Sequence, residues 1–296
     1  MPNMTSILVT GGSGQLGQSI QNLAKQYPNY QFSFPVRELL DLASKQSISD
    51  YFNKQTFDVI INCAAPTAAD KAESELELAN QLNHLAVKQL AEIASKQQAK
   101  RIHISTDYVF AGTSHKPYVE SDSVDPQGVY GLTKLKGEQA IRSIMPSDAI
   151  IILTSWVYSE YGNNFVKTMH KLGEQRDELN VIFDQICTPT YAGDLAQAIM
   201  QIINSESLEQ PSFASHLYHF SNKGVCCWYG FAKTIFELAS IDCLVHSIET
   251  KEYPTPTMRP HYSVLNKAKI KKSYNLTIPY WKDSSQQCLN TPQENG

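Results

Sequence analysis

Tyr130-Gly131-Leu132-Thr133-Lys134 sets a phenol and an ammonium four residues apart, and on a helix that step puts both on one face. A free phenol titrates near 10, too high for efficient proton transfer at neutral pH. A neighbouring ammonium stabilises the phenolate and lowers that value. This suits a phenol that must protonate a carbonyl oxygen as hydride reaches the carbon. The spacing alone says little, because a chain with 15 tyrosines produces about one such pair by chance. A second pair stands at Tyr229 and Lys233, and context separates the two. Tyr130 opens a helix that follows a strand ending in Ser105-Thr106-Asp107, and ligands of parallel sheets gather at strand carboxyl ends. Thr106 can there donate a hydrogen bond to the oxygen that Tyr130 protonates. Tyr229 shares its stretch with Phe231, Ile235 and Leu238, an ordinary core stripe.

Thr10-Gly11-Gly12-Ser13-Gly14-Gln15-Leu16-Gly17 satisfies the dinucleotide pattern G-x-G-x-x-G at Gly12, Gly14 and Gly17, and G-x-x-G-x-x-G at Gly11, Gly14 and Gly17. Glycines let a backbone turn tightly and approach a pyrophosphate, which then rests on the N-terminus of the next helix. A Walker A loop is excluded, since no Gly-Lys-Ser/Thr follows. About twenty residues beyond Gly17, where an NAD site carries an acid for the ribose, stands Arg37. A guanidinium suits a 2′-phosphate, so NADPH is favoured, with NADH as the alternative. Asp41 and Leu42 come next and are placed near the adenine.

The elements that must position these groups alternate in type. Short apolar runs at Ser6–Thr10, Gln31–Val36, Asp58–Asn62, Arg101–Ser105 and Ala149–Ser155 read as strands. Helical patterns at Gly14–Gln26, Lys71–Gln81, Leu82–Gln98 and Val129–Ile144 lie between them. The alternation predicts an α/β fold, a doubly wound parallel sheet of Rossmann type. Beyond about Gly162 the elements shorten: helices at Asn164–Leu172, Asp194–Asn204 and Tyr229–Leu238, and a strand at His216–Phe220. The expected division is a cofactor domain over 1–162, a smaller α/β substrate cap over 163–284 interleaved with the sheet, and a disordered polar tail over 285–296.

Composition bounds the partners. The chain has 296 residues, 42% apolar and 18% charged, with a net charge of −4, so no global field draws in nucleic acid or an anionic membrane surface. No window approaches the 18–20 apolar residues of a membrane span, and the amino terminus lacks a basic signal-peptide region. The six cysteines show no C-x-x-C spacing for zinc or redox work. Thiols in a reducing cytoplasm are the simpler reading.

The glycine loop, the hydroxyl after the fourth strand and YGLTK together resemble the extended short-chain dehydrogenase/reductase superfamily. Within it, Asp58–Glu73, Ile104–Phe110, Thr154–Met169, Asp184–Ala196, Trp228–Phe236 and Arg259-Pro260 resemble the dTDP-4-dehydrorhamnose reductase family. The resemblance runs from about Ile7 to Trp281. It implies reduction of the 4-keto group of dTDP-4-dehydro-L-rhamnose to dTDP-L-rhamnose. Thr106, Tyr130 and Lys134 are then the catalytic trio, Lys134 also binding the nicotinamide ribose. It implies a cofactor site at Gly11, Gly14, Gln15, Leu16, Gly17, Arg37, Asp41, Leu42, Ala64, Ala65, Tyr130 and Lys134. Thr67, Tyr108 and Trp156 are implied for the sugar, and Asn164 and Arg259 for the nucleotide end. Some members are dimers with a magnesium held by glutamates. The corresponding positions here include Ser19 and Gly193, so no metal is expected, while a homodimer stays open. Ala69 stands where members often carry Val.

Two other classes remain in view. A related sugar-nucleotide ketoreductase, epimerase or dehydratase shares the fold, but a dehydratase needs a carboxylate pair beside the strand-four threonine. This chain has Thr106-Asp107-Tyr108. A non-catalytic regulatory subunit like that of methionine adenosyltransferase resembles the same family, and it would bind NADPH without oxidising it.

Overall fold

The computed structural model describes residues 4–65, 69–205 and 216–291. Its first strand, β1 (Thr5–Thr10), ends in four buried residues, and the glycines behind it turn the chain into α1 (Gln15–Ala24). There follow β2 (Tyr30–Ser33), α2 (Lys45–Phe52) and β3 (Val59–Asn62). No pattern in the sequence marks α2. It buries only Ile48 and Phe52, too few for a periodic signal, and is started by the Ser44 hydroxyl, which accepts from the Ser47 N–H. The two helices expected over 71–98 become four pieces. These are α3 (Ala69–Ser74), α4 (Leu76–Asn80), a π-helical turn at Gln81–Leu85, and α5 (Ala86–Gln97). Next are β4 (Lys100–Thr106), α6 (Val129–Ile144) and β5 (Ala149–Thr154).

Beyond β5 come β6 (Val157–Tyr158), α7 (Phe165–Gln175), β7 (Glu178–Ile182), β8 (Ile186–Cys187), β9 (Thr190–Tyr191), α8 (Ala192–Ile203) and β10 (His216–His219). The described chain ends with β11 (Cys226–Cys227), α9 (Trp228–Ala239), β12 (Leu244–Ile248), α10 (Ala268–Tyr274) and α11 (Trp281–Asn290). Among the described residues, six parallel strands form the central sheet in the order β2-β1-β3-β4-β5-β10. This is a doubly wound parallel sheet of Rossmann-like type, with a single strand, β2, beyond β1. The direction of growth reverses between β1 and β3, and a crevice opens there at the carboxyl ends.

Each face of the sheet has its own core. Ile7, Val9, Ile61 and Ile152 pack against residues of α1 and α8, while Leu8, Ile60, Ile151 and Leu153 pack against α2 and α5. The strand at 216–219, read from sequence as part of the cap, instead pairs with β5 as the sheet's edge. A third cluster, with Tyr158, Val166, Phe231, Phe236 and Trp281, holds the smaller lobe together, and its β7 and β12 pair in parallel. The tail expected to be disordered from residue 285 is helical through Asn290. Ser284 donates to Asp194, the hydroxyls of Ser285 and Tyr158 are 3.0 Å apart, and Cys288 is buried. These polar residues are inside because they have partners there. Residues 292–296 lie outside the described residues. No helix among the described residues is long and apolar enough to cross a membrane.

Candidate active site

A cleft of about 880 Å³ opens at the carboxyl ends of β1, β2 and β3, with the glycine loop as its floor. Gly11 has φ +73°, and a Cβ there would lie 2.7 Å from the Ala64 backbone nitrogen. A Cβ on Gly17 would lie 2.1 Å from the Gly11 carbonyl oxygen, so α1 sits on the loop at a distance that glycine alone permits. Gly14 caps α1 without a side-chain hydrogen bond, which leaves the first-turn N–H groups turned to the cleft mouth for an anion. This cradle and its volume fit a dinucleotide.

Of the residues expected at the cofactor, Gly11, Gly14, Arg37, Asp41, Leu42, Ala64 and Ala65 line the cleft. The Arg37 side chain is 76% exposed at the rim, its Nε 3.4 Å from Asp41 Oδ1. Gln15, Leu16, Gly17, Tyr130 and Lys134 are not among its lining. Leu16 is buried under the sheet. Gln15 turns away, donating to the Val157 carbonyl and accepting from Ser159 and Asn164. Leu78 and Leu82, on α4 and the π-helical turn, form an apolar wall that the sequence analysis does not name.

Tyr130, Thr106 and Lys134 come together where α6 begins against the end of β4. Tyr130 is buried, edge-on to the ring of Tyr108 with centroids 5.5 Å apart, and it faces Thr106. Burial raises its phenol above the ordinary value. Asp107 and Tyr108 add to the rise, and only the Thr106 hydroxyl opposes it. The expected downward pull of Lys134 on the phenol therefore gives way to burial. The Lys134 ammonium points instead at β4, donating to the Ile104 carbonyl at 2.6 Å. Burial pushes this ammonium down to about 8, with Arg101 lowering it further and Glu138 and Cys63 opposing. Thr106 donates to Asp107 at 3.1 Å. Burial pushes the Asp107 carboxyl up to about 6, against hydrogen bonds from Ser263 and Thr106.

Behind this trio lies a buried polar layer that the sequence analysis does not identify. Glu138, one turn beyond Lys134, accepts from the Ser105 hydroxyl, and burial pushes it up to about 7. The four-residue step from Lys134 is the signal that could have marked it. Asn83 sits in the π-helical turn and donates to the Thr133 hydroxyl at 3.1 Å. Gly137 admits the Asn83 carbonyl, which a Cβ would meet at 2.3 Å. Only the turn's irregular geometry singles out Asn83, and nothing in local sequence announces it.

The residues assigned to substrate scatter more. Arg259 donates to the Tyr108 hydroxyl at 3.0 Å and pairs with Asp70 at 2.7 Å, beside a narrow slot of about 10 Å³. Trp156, in a left-handed conformation with φ +46°, stacks on Trp228 with ring centroids 3.4 Å apart. Asn164 starts α7: it accepts from the Lys167 N–H and donates to the Ser159 carbonyl and to Gln15. Its polar atoms are thus engaged in tying α7 to α1, which replaces the expected role at a nucleotide. Thr67 lies outside the described residues.

The family model described as RmlD substrate binding domain matches residues 4–294. The chain belongs to the RmlD substrate-binding domain family. It is 38% identical over 286 residues to the spore coat polysaccharide biosynthesis protein SpsK of Bacillus subtilis, covering 97% of each chain. It is equally 38% identical over 287 residues to a dTDP-4-dehydrorhamnose reductase of Sinorhizobium fredii, covering 96% of each. The crystal structure of a Bacillus anthracis dTDP-4-dehydrorhamnose reductase in complex with NADP superposes with a TM-score of 0.90 at 33% identity, covering 97% of this chain and 99% of that one.

Within this RmlD-family chain, the positions where glutamates would hold a metal are otherwise engaged. Ser19 is buried on α1 and donates to the Gln15 carbonyl, and Gly193 packs beneath the Tyr191 ring. Among the described residues no three His, Cys, Asp or Glu side chains cluster as a metal site needs. The second Tyr/Lys pair is a cation–π contact on α9, with the Lys233 ammonium 5.8 Å from the Tyr229 ring centroid.

Proposed function

We propose that this chain reduces the 4-keto group of dTDP-4-dehydro-L-rhamnose to dTDP-L-rhamnose with NADPH, within deoxysugar-nucleotide and polysaccharide biosynthesis. One observation carries the reading: a buried, protonated Tyr130 faces Thr106 at the carboxyl end of β4, beside a cleft built for a dinucleotide. The identity to the Sinorhizobium fredii reductase over 96% of both chains supports the substrate. The NADP bound to the Bacillus anthracis relative supports the cofactor.

The glycine loop and the first turn of α1 hold the pyrophosphate, and Arg37 at the rim takes the 2′-phosphate. The bound nicotinamide supplies a hydride for the sugar C4. Thr106 orients the ketone oxygen, and Tyr130 donates its proton to that oxygen as the carbon is reduced. Burial keeps the phenol protonated but makes it a weaker acid, so proton donation depends on the charge that develops on the ketone oxygen as hydride arrives. Lys134, fixed on the Ile104 carbonyl, presents its ammonium, lowered by burial to about 8, to the cofactor ribose. The smaller lobe receives the nucleotide sugar, with Tyr108, Trp156 and Arg259 at its edge. Net charge is −4, so both anionic ligands depend on local donors. The six free cysteines support a cytoplasmic setting.

The test is direct. Purified protein is mixed with NADPH and dTDP-4-dehydro-L-rhamnose, NADPH absorbance is followed, and the product's configuration at C4 is read by NMR. Substrate-dependent oxidation yielding dTDP-L-rhamnose is expected. NADPH binding without oxidation would instead mark a regulatory protein.

A further inference from the structure

The short helix α3 touches both ends of the proton-transfer assembly. Glu73 accepts the backbone N–H of Val129 at 2.9 Å, one residue before Tyr130. Gly128, which caps α6, offers no side-chain hydrogen bond of its own, so this carboxylate supplies the cap from another element. Gly128 also makes the approach feasible, since a Cβ there would lie 2.6 Å from the Glu73 carboxylate oxygen. Three residues earlier on α3, Asp70 pairs with Arg259 at 2.7 Å and accepts the Thr257 N–H at 3.1 Å.

These contacts close into a circuit. From Glu73 the path runs to the start of α6 and to the Tyr130 ring, then edge-on to the Tyr108 ring. Gly131 lets α6 come against the Tyr108 backbone, where a Cβ would meet the carbonyl oxygen at 2.1 Å. The Tyr108 hydroxyl accepts from Arg259, and Arg259 returns to Asp70 on α3. Nothing in this circuit stabilises the fold greatly. The Arg259 and Asp70 side chains are 26% and 38% exposed, and ion pairs that open contribute little. The pair instead fixes a direction, because the guanidinium holds two partners at once in a planar fork.

We infer that Asp70 and Glu73 are positioning residues that hold the Tyr130 phenol against Thr106 for proton transfer. The inference rests on the reductase reading above. Both residues act through others: Glu73 through the first turn of α6, and Asp70 through Arg259 and Tyr108.

The experiment begins with wild-type turnover. If wild type does not oxidise NADPH with the ketosugar, the reductase reading falls and this inference falls with it. Given an active wild type, Glu73→Ala is expected to lower kcat on the order of 10- to 100-fold, the scale of a small misplacement of a reacting group. KM for NADPH should stay within about twofold, since the cofactor cleft is untouched. The solvent deuterium isotope effect on kcat should rise as proton transfer becomes limiting. Glu73→Gln, which keeps an oxygen acceptor, should restore most of the rate, and Asp70→Asn should show the same signature more weakly. Gly128→Ala is the second route, because its methyl displaces the Glu73 carboxylate without removing it. A lower melting temperature with kcat and isotope effect unchanged, in either Glu73→Ala or Gly128→Ala, overturns the inference.

Discussion

Tyr130 is buried among Thr106, Asp107 and Tyr108, and that burial holds its phenol in the protonated form well beyond neutral pH. A reduction needs the proton on the enzyme, and the phenol carries it at neutral pH with or without the rise. Tyr130→Phe should lower kcat by roughly 10²–10⁴-fold while NADPH binding, measured by fluorescence, stays near wild type. Wild-type turnover in that variant would remove Tyr130 from its role. Glu138 makes a different prediction, about stability. Its folded carboxyl is raised from an ordinary 4.5 to about 7, so between those values the folded chain holds a proton that the unfolded chain has released. Glu138 by itself therefore makes stability fall as pH rises from 4.5 through 7, while the buried His103 and His219, both lowered chiefly by burial, push the other way up to about 6.5. Lys134 runs the other way: lowered from 10.5 to about 8, it makes stability rise with pH across that window. Glu138→Gln should flatten the lower slope in a series of melting temperatures taken from pH 4.5 to 7. An unchanged slope would show that Glu138 ionises normally. The buried Asp107, raised from 3.8 to about 6, contributes with the same sign as Glu138 in either protein, so the difference between the two slopes is what reads Glu138.

At the scale of elements, the loop after β2 should govern cofactor choice. If Arg37 takes the 2′-phosphate as proposed, Arg37→Ala should raise KM for NADPH much more than KM for NADH, because only the former carries that phosphate. Equal effects would assign Arg37 to the surface alone. The next strand, β3, is legible in the sequence because it is central and buried along its length, so Val59–Ile61 reads as an uninterrupted apolar run. The α6 helix is legible to the residue, from Val129 to Ile144. What escapes is set by distant partners. In β7 two of five residues are buried, and its pairing strand β12 lies about 65 residues on, so local pattern is silent. The two helices expected over 71–98 miss the π-helical turn that presents Asn83 to α6, because nothing in local composition marks a widened turn. The gathering of Thr106, Tyr130 and Lys134 follows from spacing and context. The reversal of the phenol's shift does not, because it depends on how deeply α6 and Tyr108 bury the ring.

Across the whole molecule, the smaller lobe depends on the last helix. Trp281 is 5% exposed, edge-on to Phe231 with centroids 5.6 Å apart, in the cluster that joins α7, α9 and β7. Trp281→Ala should cost about 3–5 kcal/mol, read from urea denaturation. A loss below about 1 kcal/mol would mean that α11 is only loosely docked. Composition misleads here, since Ser284 and Ser285 look like surface residues, yet Asp194 and Tyr158, from far earlier in the chain, receive them inside.

The sheet's outermost strand has a consequence in time. β5 is buried along its whole length, but the partner that covers its free edge, β10, begins about 60 residues later. At typical synthesis rates of 5–20 residues per second, a nascent chain carries that unpaired apolar edge for roughly 3–12 s. During this interval neighbouring copies on one messenger can pair through it, and a chaperone that shields strand edges would be most useful then.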